Sequence, residues 1–292
     1  MNSMMMKKEK IKKEGKKPNK SNSIFDNINS KYILILIFDF LKKNKSLKIM
    51  KYNNEIKNRT DQTLIDYINY SQIKIEVTPE PNKFGKFLNI NNDEEEYYYI
   101  YFNDNQERIT KNCITSLDKV SKIKIIILFQ VKSFCGLFED CECIQAVKFI
   151  HFYRTNITNM SRMFFWCTSL KEVNLSSFTT DNVTDMSCMF VGCSQLKKVN
   201  FSIINTNNVI DMSCMFSGCS SLRELDLSNL MTNNVNNMNS MFVGCSSLRE
   251  LDISNFNTNK VTNMIDMFNG CSYKLKKKIM IQNPSIREIA FK

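Results

Sequence analysis

The sequence predicts an α/β solenoid, a chain wound from one 26-residue unit that alternates a short helix with a short strand, and three observations predict it. The stretch MSCMFVGCSQLKKV (186–199) returns 26 residues later as MSCMFSGCSSLREL, and 26 after that as MNSMFVGCSSLREL. Apolar columns run through these copies without a break. A glycine stands at one address in each. One such unit cannot bury its own apolar face, whereas stacked units bury each other's.

Taken in chain order, residues 1–22 hold eight lysines and two glutamates, so +6 of the net charge of +11 sits there, and their low apolar content predicts a disordered basic tail. Residues 23–130 are expected to form an N-terminal cap region of helices and strands. Ile33, Ile37, Phe40 and Leu41, then Leu47, Met50 and Ile56, fall at helical offsets and predict two short helices within 28–58. VTPEPN (77–82) reads as a turn or linker, and KFLNI, EEEYYYIYF and KIKIIILF read as strands. CITSLDKVSKI (113–123) echoes CTSLKEVNL, as though the sheet continued upstream. The paired helices bear a distant likeness to an F-box, a helical adaptor, although its Leu-Pro opening is missing. A cap that seals the solenoid accounts for the same residues.

Residues 131–286 carry about six copies, the first and last degenerate. The columns are Ile157, Val183, Val209, Val235 and Val261; Met160, Met186, Met212, Met238 and Met264; and Met163, Met189, Met215, Met241 and Met267, each followed by phenylalanine. Cys167, Cys193, Cys219, Cys245 and Cys271 complete them. These offsets of i, i+3, i+6, i+7 and i+10 predict one face of a helix. Gly192, Gly218, Gly244 and Gly270 follow, where a helix ending in a left-handed residue needs glycine. Trp166 holds that place in the first full copy, whose turn is therefore expected to differ. Clusters such as TTDN (179–182) and NTNN (205–208) are expected to cap the helices. Downstream, Leu196-x-x-Val199-x-Phe201, Leu222-x-x-Leu225-x-Leu227 and Leu248-x-x-Leu251-x-Ile253 change to strand alternation, the L-x-x-L-x-L pattern of leucine-rich repeats. Phe178, Ile204, Leu230 and Phe256 add one more apolar column. Val131, Phe134, Leu137, Phe138, Cys141, Ile144, Val147, Phe149 and Phe152 form a degenerate leading copy. At the other end, Leu275 is shifted by one place among Lys274, Lys276, Lys277 and Lys278, as a solvent-facing cap would be, and 287–292 are expected as a tail.

The string N-V-x-x-M-x-x-M-F-x-G-C-x-x-L-x-x-L-x-L-S-x-F/L-x-T resembles the BspA-like leucine-rich repeat, also described as the mycoplasma-type lipoprotein repeat, over 131–286 and most closely over 157–271. The resemblance implies a right-handed leucine-rich-repeat superhelix with a parallel sheet. It also implies a non-enzymatic interaction protein, in many members at a cell surface and in contact with matrix or host proteins.

The residues themselves narrow the function classes. Between 157 and 260 stand seven basic and eight acidic residues, so the repeated body lacks the basic stripe that phosphate binding requires and nucleic acid is not the expected partner. YILILIF (32–38) and IKIIILF (123–129) are too short for the roughly 20 residues that span a bilayer. Without a convincing signal peptide a cytoplasmic location is expected, the cell surface entering through the resemblance alone. There the odd count of 11 cysteines would stay reduced. The cysteine column reads as packing, with a thiol-based metal or redox role as the alternative. Cys188 and Cys214 belong to a column expected to be exposed, and Cys141 and Cys143 to the degenerate copy. The single histidine, His151, reads as a solvent-facing strand residue, and no phosphate-loop, zinc-protease or nucleophile-elbow motif occurs, so no catalytic residue, cofactor or metal is expected. What remains is the outward side of the predicted strands. Lys171, Glu172 and Asn174, Lys198 and Asn200, Arg223, Glu224 and Asp226, and Arg249, Glu250 and Asp252 form the candidate face for a protein partner. The alternative for this row is a solvated surface.

Overall fold

The computed structural model describes residues 72–90, 92–127, 131–152, 157–178, 180–201 and 204–291, so the basic tail of 1–22 and the helix pair predicted within 28–58 lie outside the described residues. The described residues are rich in strands and poor in helices, and their sheets contain parallel pairs. Alternation builds the first strand, β1 (Ile73–Pro79), in which Ile73, Ile75 and Val77 are fully buried and Lys74 and Glu76 half-buried. It covers the first half of the stretch expected to be a linker, because Pro79 can close a strand where no further ladder amide is needed. The pair β2 (Gly85–Lys86) and β4 (Cys113–Ile114) is only two residues long on each side, so KFLNI and the CITSL echo contribute little sheet. EEEYYYIYF divides into a 3-10 turn, Asn92–Tyr97, and β3 (Tyr98–Phe102). The isoleucine run becomes β5 (Ile123–Ile127).

These strands flank β6 (Ile144–His151), giving a six-stranded sheet of order β3-β5-β1-β6-β7-β8. The pairs β3–β5, β5–β1 and β1–β6 are antiparallel, with Ile75 opposite both Ile125 and Phe149. From β6 onward the pairing is parallel through β7 (Glu172–Asn174) and β8 (Lys198–Asn200), placing Val147, Val173 and Val199 in one row. β9 (Glu224–Asp226) and β10 (Glu250–Asp252) form a second parallel pair with Leu225 beside Leu251.

Among the described residues of 157–271 the predicted helices do not form. Between Met186 and Gly192 alternate amides leave the copy: those of Met186, Cys188, Phe190 and Gly192 donate to the carbonyls of Asp211, Ser213, Met215 and Ser217 at 2.8–3.0 Å. Parallel bridges join Ser133, Asn159, Asp185, Asp211, Asn237 and Asn263 in sequence, each to the residue 26 positions on. A helix would need those amides for its own carbonyls. It is also interrupted by left-handed residues, since Arg162, Cys188, Cys214, Ser240 and Asp266 all have φ of 54–56° in mid-segment. The apolar offsets were read as helical because this chain of tight turns buries the same positions. Trp166 has φ 57°, so the first copy makes the same left-handed turn as the glycine copies instead of a different one. The Thr and Asn clusters do not cap helices either. Buried Thr180, Thr206 and Thr232 each give a hydroxyl to the copy ahead, at Asn205, Met231 and Asn257, and each accepts the amide of that same residue in return.

Inside lies one continuous apolar core in which the Val, Met, Phe and Cys columns are buried. Phe138, Phe164, Phe190, Phe216, Phe242 and Phe268 stack ring on ring with centroids 5.3–5.7 Å apart and planes within 9° of parallel. Beyond them the lysine-rich segment becomes helix α1 (Tyr273–Gln282), started by Ser272, whose hydroxyl accepts the Leu275 amide, and anchored by buried Leu275 and Ile279. The residues expected as a tail form instead a 3-10 turn, Glu288–Phe291, which adds Phe291 to the stack 5.2 Å from Phe268. The Phe268 amide bonds to Ala290. Among the described residues no helix is long and apolar enough to cross a membrane.

Candidate functional site

Each short strand leaves its first and third side chains on the face opposite the core, because a strand alternates sides and the middle residue (Val173, Val199, Leu225 or Leu251) points inward. Glu172, Lys198, Glu224, Asp226, Glu250 and Asp252 are exposed, with Asn174 and Asn200 half-buried. Arg223 and Arg249 are exposed just before their strands. Register sets Glu172 beside Lys198, Asn174 beside Asn200, Glu224 beside Glu250 and Asp226 beside Asp252.

The row divides into two chemically different parts. On the β7–β8 side cations and anions offset each other. Lys171 is held by both oxygens of Glu80 at 2.8–2.9 Å, and Lys198 lies 3.6 Å from Glu172. On the β9–β10 side the four acidic residues line a groove of about 590 Å³ whose other wall is α1, with Lys278, Gln282 and Asn283. The Lys278 ammonium stands 2.6 Å from Glu250 and holds that carboxyl below its usual range. Asp252 is held low by the Ser254 hydroxyl and amide, the amide donating to Oδ1 at 2.9 Å; Asp226 takes the Ser228 amide in the same way. Asn174 likewise accepts the Ser176 amide, so the third strand position also closes the turn that follows. The wall formed by α1 escaped the residue-level reading, although Ser272 three residues ahead of Leu275, leading into a lysine run, carried a helix-start signal.

Three other arrangements compete for attention. A second concavity of about 590 Å³ is lined by Asn182, Asn208, Asn234 and Lys260 among others. Its amides serve the neighbouring copies: Asn208 donates to the Asp181 carbonyl, Asn234 to that of Asn207, and Lys260 to Asn234. The cysteine column is buried, and each thiol donates to a phenylalanine carbonyl of the copy behind, Cys167 to Phe138, Cys193 to Phe164, Cys219 to Phe190, Cys245 to Phe216 and Cys271 to Phe242, at 2.9–3.3 Å. Burial pushes Cys193 and Cys219 far above the ordinary thiol range and Cys271 up to about 11. Neutral thiols engaged as donors are poor nucleophiles and poor ligands. Cys188 and Cys214, expected to be exposed, are half-buried, and burial first, then Cys214, pushes Cys188 up to about 11. Cys141 and Cys143 are buried, the latter donating to Lys86. His151 ends β6, half-buried.

Among the described residues no three His, Cys, Asp or Glu side chains group as a metal ion would need. In comparison with known proteins, residues 132–250 and 192–283 match the family described as "Mycoplasma protein of unknown function, DUF285", the two matches together covering more than half of the 292-residue chain. No curated protein and no solved structure matches it.

Proposed function

The chain belongs to that mycoplasma family of unknown function, and from this premise we propose that residues 131–286 form a leucine-rich-repeat solenoid, with a 26-residue repeat, that presents the β7–β10 face to a protein partner without catalysing a reaction. One observation carries the reading: polar residues at equivalent places of four successive strands stand exposed over an apolar core, with their backbones tied to neighbouring strands. A surface spaced by strand pairing is rigid before a partner arrives, and this lowers the ordering cost of contact. The resemblance to the BspA-like repeat supports the same role.

Site-specific photo-crosslinking tests it. A benzophenone side chain placed at Asn174, Asn200, Glu224 or Glu250 should yield partner adducts in cells expressing the full chain, whereas the same group at Asn182 or Asn208 should not. Adducts from the second pair alone would move the interaction off this face.

A further inference from the structure

We propose that the groove between β9–β10 and α1 binds an extended cationic peptide segment with lysine or arginine at alternate positions. The proposal rests on the interaction role given above and names the chemistry of the partner. Parallel register sets Glu224 beside Glu250 and Asp226 beside Asp252. Neighbouring strands lie about 4.8 Å apart, so each pair places like charges side by side, which is unfavourable until a cation lies between them. Along each strand the acidic residues are two positions apart, about 6.6–6.8 Å, the spacing that alternate side chains of an extended peptide share.

The protein supplies a sample of the occupant's charge. Lys278 reaches across from α1 to Glu250, and among the described residues it is the only cation in ion-pair contact with the four carboxylates. Asp226 and Asp252 are aimed before binding, since a backbone amide fixes one oxygen of each. A volume of about 590 Å³ holds several side chains. Elsewhere in the row Lys171 is matched by Glu80 and Lys198 by Glu172, while Arg223 and Arg249, exposed just before their strands, do not line the groove.

The test is fluorescence anisotropy with the full chain and a labelled ten-residue peptide alternating lysine and threonine, against its glutamate–threonine counterpart. The lysine peptide should bind, lose at least tenfold in affinity from 50 to 300 mM salt, and bind at least tenfold more weakly to Asp226→Lys/Asp252→Lys. Lys278→Ala, which removes the competing ammonium, should tighten binding several-fold. Glu224→Gln, at an exposed site, should weaken it three- to tenfold, so the outcome does not depend on the double variant folding. Asp104→Lys/Glu107→Lys, with the same change in net charge away from the groove, should shift affinity less than threefold. Equal binding to wild type and the groove variants, or no binding of the lysine peptide, overturns the proposal. If photo-crosslinks still form from the sheet face in that event, the partner is of another chemistry and the interaction role stands.

Discussion

At the scale of single residues, the protein repeats two contacts until they dominate its interior. Each inner phenylalanine lies between two others, so Phe216 contributes its own burial together with its stacking on Phe190 and Phe242. Burial of this kind is lost with a cavity when the ring is removed, and Phe216→Ala should cost about 3–5 kcal/mol. Urea unfolding measures it; a loss under about 1 kcal/mol would mean that the neighbouring rings close the gap. Thiols are the second contact. Buried Cys193 and Cys219 have folded-state pKa values raised by burial, so their stabilisation is complete below the unfolded thiol value near 8.5–9 and is lost as pH rises above it. Stability should therefore fall as pH rises above about 9, each such thiol adding to the loss. Denaturation at pH 8 and pH 10 checks the sign. Cys193→Ala/Cys219→Ala should be destabilised at pH 8 yet lose less on going to pH 10.

At the scale of elements, apolar spacing revealed which residues are inside and misnamed the backbone that carries them. The Val, Met, Phe and Cys columns are buried as their spacing predicted, yet offsets of three and four suit a string of tight turns as well as a helix. What separates the two is a left-handed residue at Cys188 or Ser240, a conformation that glycine advertises and cysteine or serine does not. The strand face was legible from L-x-x-L-x-L, down to the exposure of Glu224 and Asp252, while its parallel pairing came from the family resemblance. Its division into a balanced side and an acidic groove was not, because Glu80 and Lys278 reach the row from 91 and 28 residues away. The glycine addresses were read correctly for the wrong element. Gly270 has φ +78°, and a β-carbon there would meet the Gly244 amide nitrogen at 3.0 Å. Gly270→Ala should destabilise the protein by at least about 1–2 kcal/mol, the cost of the left-handed conformation alone. Calorimetry reads it as a lower Tm, whereas an unchanged Tm would show that the turn relaxes.

At the scale of the described molecule, both ends of the parallel stack are covered. β1, with β5 and β3 beyond it, pairs along the upstream edge of β6, and α1 with the 3-10 turn closes the downstream end over Phe268. An uncovered end would offer aromatic surface and unpaired amides to another chain. Removing residues 284–292 should therefore produce concentration-dependent self-association, visible by analytical ultracentrifugation; a truncated chain that stays monomeric at high concentration would show that α1 suffices. The amide ladder has an evolutionary corollary as well. Since Met186, Cys188 and Phe190 donate to residues 25 positions ahead, a donor and an acceptor of one kind face each other across every junction. Excision or duplication of 26 residues, or of a multiple of 26, within 157–260 rejoins equivalent partners, while other indel lengths leave strangers facing. Unequal recombination can thus lengthen or shorten such a gene by whole copies and still deliver a foldable product.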